Sequence, residues 1–182
     1  MTVARGRSKP LHVDAHADIN DEMFGEKVAH GTIFRRAIEE ELVNPQHMFQ
    51  IGLRATGYTA DDFDWSRQQG ATIVPAEECW SQSLGPLMAR VRSSVGPDLP
   101  TYLSFDIDGL DPSVAPGTGT PEPAGLSAAQ GLEIIRGCFG LNLVGADLVE
   151  VSPPYDTSGN TALLAANLVF EMLCSLPGCQ RR

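Results

Sequence analysis

The chain has 182 residues, 42% hydrophobic and 20% charged, which is the composition of one globular domain (1–182) able to bury a core. Its net charge of −10 argues against a nucleic-acid partner and suits metal ions or small cations. No apolar run approaches the roughly 18 residues needed to cross a bilayer, so no membrane role is expected. "MTVARGRSKP" lacks the apolar core of a secretory signal, and the chain reads as intracellular.

In chain order, strand-like runs at 10–14, 48–53, 71–75, 101–106 and 142–151 alternate with helix-like stretches at 32–43, 81–95, 127–139 and 160–176. The last stretch, "NTALLAANLVFEMLCSL", is apolar on nearly all sides and should be a buried helix. Near-continuously apolar strands separated by helices predict an α/β fold on a mostly parallel sheet. The longest irregular stretch, "GLDPSVAPGTGTPEPAGL" (109–126), is dense in Pro and Gly, and a loop of that length in a compact domain is usually functional. The cysteines at 79, 138, 174 and 179 form no CxxC pair. Cys138 and Cys174 lie in apolar text and read as small core residues.

Polar chemistry collects where the strands end. The first strand runs into Asp14, His16 and Asp18, and the fourth into Asp106 and Asp108. Residues two apart in an extended segment share a side, and open α/β sheets bind ligands beyond their carboxyl ends. Asp14, Asp18, Asp106 and Asp108 therefore line two walls of one pocket. Clustered without partners they would raise one another's pKa values. Two divalent cations remove that conflict, and carboxylates with an imidazole suit manganese, iron, zinc or magnesium, manganese in particular. Two carboxylates can bridge a metal pair, an arrangement that activates water for hydrolysis.

Other polar residues take lesser parts. His12 sits inside its strand and should be a hydrogen-bonded residue behind the ligands. His47, beside a turn-like Asn-Pro, should be on the surface. His30, in a loop before a helix, is either a cap neighbour or a proton carrier. Glu150, closing an apolar strand, should be buried and is the best group to grip a cationic substrate; the competing expectation is an ion pair with one of the chain's arginines. Arg54 could receive an acidic substrate tail or pair with Asp61 or Asp62.

"DAHAD", "SFDIDGLDPSVAPGTGTPEPAGLS" and "GADLVEVSPPYD" resemble the ureohydrolase family, which includes arginase and agmatinase. "GEKVAHGTIFRRA" and "GNTALLAANLVFEMLC" resemble the vertebrate-type agmatinase or linear guanidino-acid hydrolase branch. The resemblance runs from Leu11 to Pro177. It implies a three-layer arginase/deacetylase-like fold, a binuclear manganese centre and a homo-oligomer, with a mitochondrial location plausible from that branch. It also implies roles: Asp14 and Asp106 bridging the metals, Asp18 completing one site, His16 and Asp108 completing the other, Glu150 binding the guanidinium of a small cationic substrate, and His30 and Asp18 carrying protons, with Thr120 near the substrate.

One motif departs from the pattern. The family carries a Gly-Gly-Asp-His segment whose His binds one metal, and this chain has no Gly-Gly pair. The expectation is that N-terminal strands and one ligand are missing, that one metal is held more weakly, that activity is low and that the chain self-associates. The alternative is a non-catalytic form that associates with full-length subunits. "FDIDG" superficially resembles the nucleophile strand of haloacid-dehalogenase-type phosphatases, but those need a downstream lysine and both lysines here, Lys9 and Lys27, lie upstream.

Overall fold

A computed structural model describes residues 8–55 and 63–179. Strands β1 (Lys9–Val13), β2 (Phe49–Leu53), β3 (Thr72–Pro75), β4 (Pro100–Asp106) and β5 (Asn142–Val149) alternate with helices α1 (Ile33–Glu39), α2 (Asp64–Gln69), α3 (Gly85–Val95), α4 (Ala128–Gly137) and α5 (Asn160–Ser175). The five strands form one sheet in the order β3-β2-β1-β4-β5, and each pairing between them is parallel. From β1 the chain builds outward through β2 and β3, then returns to the other side of β1 for β4 and β5. The carboxyl ends of β1 and β4 therefore flank the point where the strand order reverses, where such sheets open a crevice.

Alternation along the strands sets the layers. Leu11, Val13, Phe49, Ile51, Leu103 and Phe105 pack with Met88 and Val91 of α3, Ile134 and Ile135 of α4, and Leu168 of α5 in the main core. On the opposite side a smaller core gathers Met48, Leu53 and Ala71 with Phe34 and Ile38 of α1, and with Phe63 and Trp65 packed against it. This is the three-layer arrangement expected of the sequence.

Local chemistry sets the element ends. Pro86 sits in the first turn of α3, where a missing N–H costs nothing. Ser127 caps α4 by accepting from Gln130 N, while the Gln130 side chain returns the bond to Ser127 N. Buried Lys9 donates to the carbonyls of Ser94 and Val95 at the end of α3. α1 stops at Glu39, earlier than periodicity suggests, because Glu41 takes a left-handed conformation. α2 was not apparent from hydrophobic pattern: its one buried residue is Ser66.

Two expectations of burial are corrected. α5 packs on α4 and β5 through Ala165, Leu168 and Met172, but Leu163, Phe170 and Leu173 face outward, so it is apolar all round without being enclosed. His47 is half-buried rather than on the surface, in a one-turn 3-10 helix packed between β1 and α2. Among the described residues β5 ends the sheet, with Val144 and Val149 exposed, and no helix is long and apolar enough to cross a membrane.

Candidate metal centre

The close approach of β1 and β4 builds the site. Gly109 allows it: a Cβ there would stand 3.0 Å from Asp14 N and 3.2 Å from Asp14 Cα. Beyond β4 a one-turn 3-10 helix, Ile107–Gly109, turns Asp108 back toward β1. Asp106 accepts from Asp108 N at 2.9 Å and so caps that turn. Asp108 then accepts from Ala15 N at 3.1 Å, stitching the two strand ends together.

Asp14, Asp106 and Asp108 are buried. On Asp14, Oδ2 lies 2.8 Å from His12 Nε2, and Oδ1 accepts from His16 N at 2.6 Å. His16 Nδ1 lies 3.1 Å from Asp108 Oδ2, which also accepts from Thr120 Oγ1 at 3.1 Å. Asp18 follows in a left-handed conformation (φ 53°), and its carbonyl accepts from Phe34 N, tying it to α1.

Electrostatics oppose this cluster while it holds only protein groups. Burial, with Asp14 and Asp108 beside it, pushes the Asp106 carboxyl up to about 10. Burial and Asp14 push Asp18 up to about 7. Burial disfavours a charged His16, but Asp108 and Asp14 outweigh it and push the imidazole up to about 10. Asp14 is the exception: burial works against its charge, yet His12 and His16 hold it below the ordinary carboxylate range. Crowded acids that retain protons near neutrality fit a site completed by cations. Two groups of donor atoms lie close together, Asp14 with His16 and Asp108, and Asp14 with Asp18 and His12, although His12 already spends Nε2 on Asp14 and Nδ1 on Gln50. Oxygen donors with imidazole suit a divalent ion such as manganese.

Above the cluster lies a cavity of about 390 Å³. Asp14, His16, Asp18, Asp106, Asp108, His30 and Glu150 all line it, so the structure brings all seven sequence-derived site residues together, and Thr120 with them. Asn20, Met23, Phe24, Ala55 and Phe63 shape its rim, and no lysine or arginine lines it among the described residues. His30 is exposed, held by a loop that Asn20 and Thr32 fasten through bonds to Gly31 O and Ala29.

A family model described as the arginase family matches residues 3–174. The chain belongs to the arginase family. It is 67% identical over 177 residues to a guanidinobutyrase of Pseudomonas aeruginosa, covering 97% of this chain and 55% of that protein. It is 60% identical over 167 residues to a mitochondrial guanidino acid hydrolase of Homo sapiens, covering 92% of this chain and 47% of that protein. Among solved structures, proclavaminate amidino hydrolase from Streptomyces clavuligerus superposes with a TM-score of 0.87 at 41% identity, over 93% of this chain and 56% of that one. The chain thus spans about half the length of the relatives it matches.

Two sequence expectations at this arginase-family site need correction. Glu150 is exposed at the pocket edge, in a left-handed conformation (φ 64°), because β5 ends the sheet there. Among the described residues Arg54 does not line the pocket. Its guanidinium donates to the carbonyls of Asp108 at 2.7 Å, Glu122 at 2.6 Å and Leu110 at 3.2 Å, and also to those of Gly52, Gly109 and Pro123. It clamps the Pro/Gly loop onto the strand ends. Asp61 and Asp62, the suggested partners, lie outside the described residues. Sequence reasoning missed Gln50 altogether, because it sits inside the apolar run "MFQIGL".

Proposed function

We propose that this chain forms the paired-metal site of a hydrolase that splits a linear guanidino compound into urea and an amine, with manganese as the cofactor. The observation that carries this reading is the acidic pocket at the β1–β4 crevice, lined by five carboxylates and, among the described residues, by no side-chain cation other than histidine. Relatives named guanidinobutyrase, guanidino acid hydrolase and agmatinase support guanidino acids and agmatine as candidate substrate classes.

Asp14 and Asp106 would hold the ions together with Asp18 on one side of the floor and His16 and Asp108 on the other. Bound there, the ions would supply the Lewis acidity that lowers the pKa of water. His16 would have to give up its proton to hold an ion, so metal uptake would release protons. Glu150, at the rim, pairs with the planar guanidinium and sets its carbon over the acidic floor. Phe63 and Met23 flank the methylene chain and exclude water. Addition of water to the guanidinium carbon and cleavage of its bond to the substituted nitrogen give neutral urea. His30 or Asp18 delivers a proton to the leaving nitrogen, which departs as an ammonium group, so charge balances. The whole of 1–182 acts as one domain in this reading.

The test is urea release from agmatine, 4-guanidinobutyrate, 3-guanidinopropionate and arginine with Mn2+ added. The reading expects release from a linear substrate in preference to arginine; no release from any of them with metal bound would refute it. A second reading, assembly with further ureohydrolase subunits, is supported by the open edge of β5 and by outward-facing Leu163, Phe170 and Leu173. Light scattering would show a concentration-independent monomer if that reading is wrong.

A further inference from the structure

Behind the acidic floor runs a buried chain of hydrogen bonds whose polarity can be deduced from its ends. Parallel register sets His12 of β1 beside Gln50 of β2. His12 is 1% exposed, and Gln50 and Ser66 are fully buried. Gln50 Nε2 lies 2.8 Å from the carbonyl of Ala17, which can only accept, so that atom is the amide nitrogen and the orientation of the group is settled. Ser66 Oγ, on α2, donates to Gln50 Oε1 at 2.6 Å and completes the lock. The second N–H of the same nitrogen faces His12 Nδ1 at 3.0 Å. Nδ1 must therefore accept, and the ring proton sits on Nε2, 2.8 Å from Asp14 Oδ2.

The lone pairs of Asp14 complete the count. Each carboxylate oxygen has about two acceptor positions. His12 takes one on Oδ2, which leaves one there; on Oδ1, His16 N takes one at 2.6 Å and His16 Nδ1 faces the other at 3.4 Å. Once His16 turned its Nδ1 to a cation, each oxygen of Asp14 would keep one acceptor position with which to hold metal. With both nitrogens occupied, His12 is not itself free to ligate. The Phe34 ring, 4.1 Å from the imidazole centroid, packs on it and opposes rotation.

We propose that Gln50 is a positioning residue for the metal centre: it selects the His12 tautomer that donates from Nε2, and through it fixes the Asp14 carboxylate for holding metal. The inference rests on reading Asp14 as a metal ligand. A neutral His12 carrying its proton on Nδ1 would set a lone pair against the carboxylate and free Asp14 to rotate. The bond from Gln50 to Ala17 O holds the segment between His16 and Asp18 at the same time.

Two measurements test it. The first is long-range 15N–1H correlation NMR on the metal-free, histidine-labelled chain, with His12 identified by elimination using His16→Ala, His30→Ala and His47→Ala. The expected spectrum shows Nδ1 bare and Nε2 protonated; a proton on Nδ1 overturns the proposal. The second is Mn2+ affinity by chelator competition. Gln50→Leu should weaken binding about 10- to 100-fold, the usual cost of losing a partner behind a ligand. In a His12→Gln background, whose amide presents N–H without tautomer selection, the same substitution should cost far less. Equal losses in both backgrounds would make Gln50 a packing residue only and overturn the proposal. If these buried variants fail to fold, the unaltered chain's spectrum decides. Failure of the unaltered chain to bind Mn2+ would refute the metal reading and this role with it, whereas an Nδ1–H tautomer with Mn2+ binding intact would overturn this role alone.

Discussion

The floor and the rim of the pocket are built differently. On the floor, Asp14, Asp106 and Asp108 are buried, and each carboxylate is tied to a backbone N–H of a neighbouring turn or strand end. At the rim, Glu150 and His30 stand exposed. The floor carries fixed geometry at a cost in buried charge; the rim carries groups that must meet a substrate arriving from water. The contrast separates residues whose loss should empty the site from residues whose loss should leave it loaded but slow.

The largest effect is expected on the floor. Asp106→Ala should lose most bound Mn2+ and abolish the rise in Tm that Mn2+ gives, because metal bound to the native state stabilises it by mass action. Elemental analysis and a thermal melt check both, and unchanged metal content would remove Asp106 from the site. At the rim, Glu150→Gln keeps shape and removes charge. It should cut urea release roughly 10- to 150-fold, the value of a charged hydrogen bond of about 1.5 to 3 kcal/mol, and spare metal occupancy. A matching loss of metal would place Glu150 on the floor.

Arg54→Ala tests the clamp between the two regions. Releasing the carbonyls it binds should cost about 2 to 3 kcal/mol, a fall in Tm of roughly 4 to 12 °C. Preference between agmatine and guanidino acids should not change, since the guanidinium points into the loop and not into the pocket.

The pH dependence follows from the floor alone. Asp18 and Asp106 have native pKa values raised to about 7 and about 10, and His16 is raised to about 10. In each case the native state binds protons more tightly than the unfolded chain, so their contribution to stability is full at low pH and is lost as pH rises through the native value. Metal-free Tm should therefore fall progressively from about pH 4 to about pH 10, and the stabilisation by Mn2+ should grow over the same range. A metal-free Tm that rises across that window would contradict the electrostatic account. The smallest effect belongs to His30→Asn. Exposed to water that can substitute for it, His30 should contribute about tenfold to rate, with metal content unchanged.

Much of the floor was legible in the sequence because two acidic clusters each follow an apolar strand; the expected strand periodicity does not place Asp14, His16 and Asp18, since β1 ends at Val13 and a bend with a left-handed Asp18 brings them to the pocket. All five strands and four of the helices could be placed from their apolar patterns. What was not legible depended on neighbours distant in sequence. Gln50 acts only because register sets it beside His12, and nothing in "MFQIGL" marks that pairing. α2 was missed because "DWSRQQ" buries a serine, not an apolar stripe. Arg54's clamp on the loop was not foreseen because its partners among the described residues are backbone carbonyls, which leave no trace in residue type. Glu150 was expected inside because its strand is apolar, but among the described residues no strand pairs with the outer side of β5, and Glu150 is exposed there.

The most direct test of the central claim is anomalous X-ray scattering from manganese in crystals of the chain grown with Mn2+. The account predicts manganese between β1 and β4, with Asp14 and Asp106 contacting it, a site shared with Asp18 or with His16 and Asp108, and Glu150 free of contact. Manganese bound elsewhere, or no peak at the acidic floor at neutral pH, would contradict it.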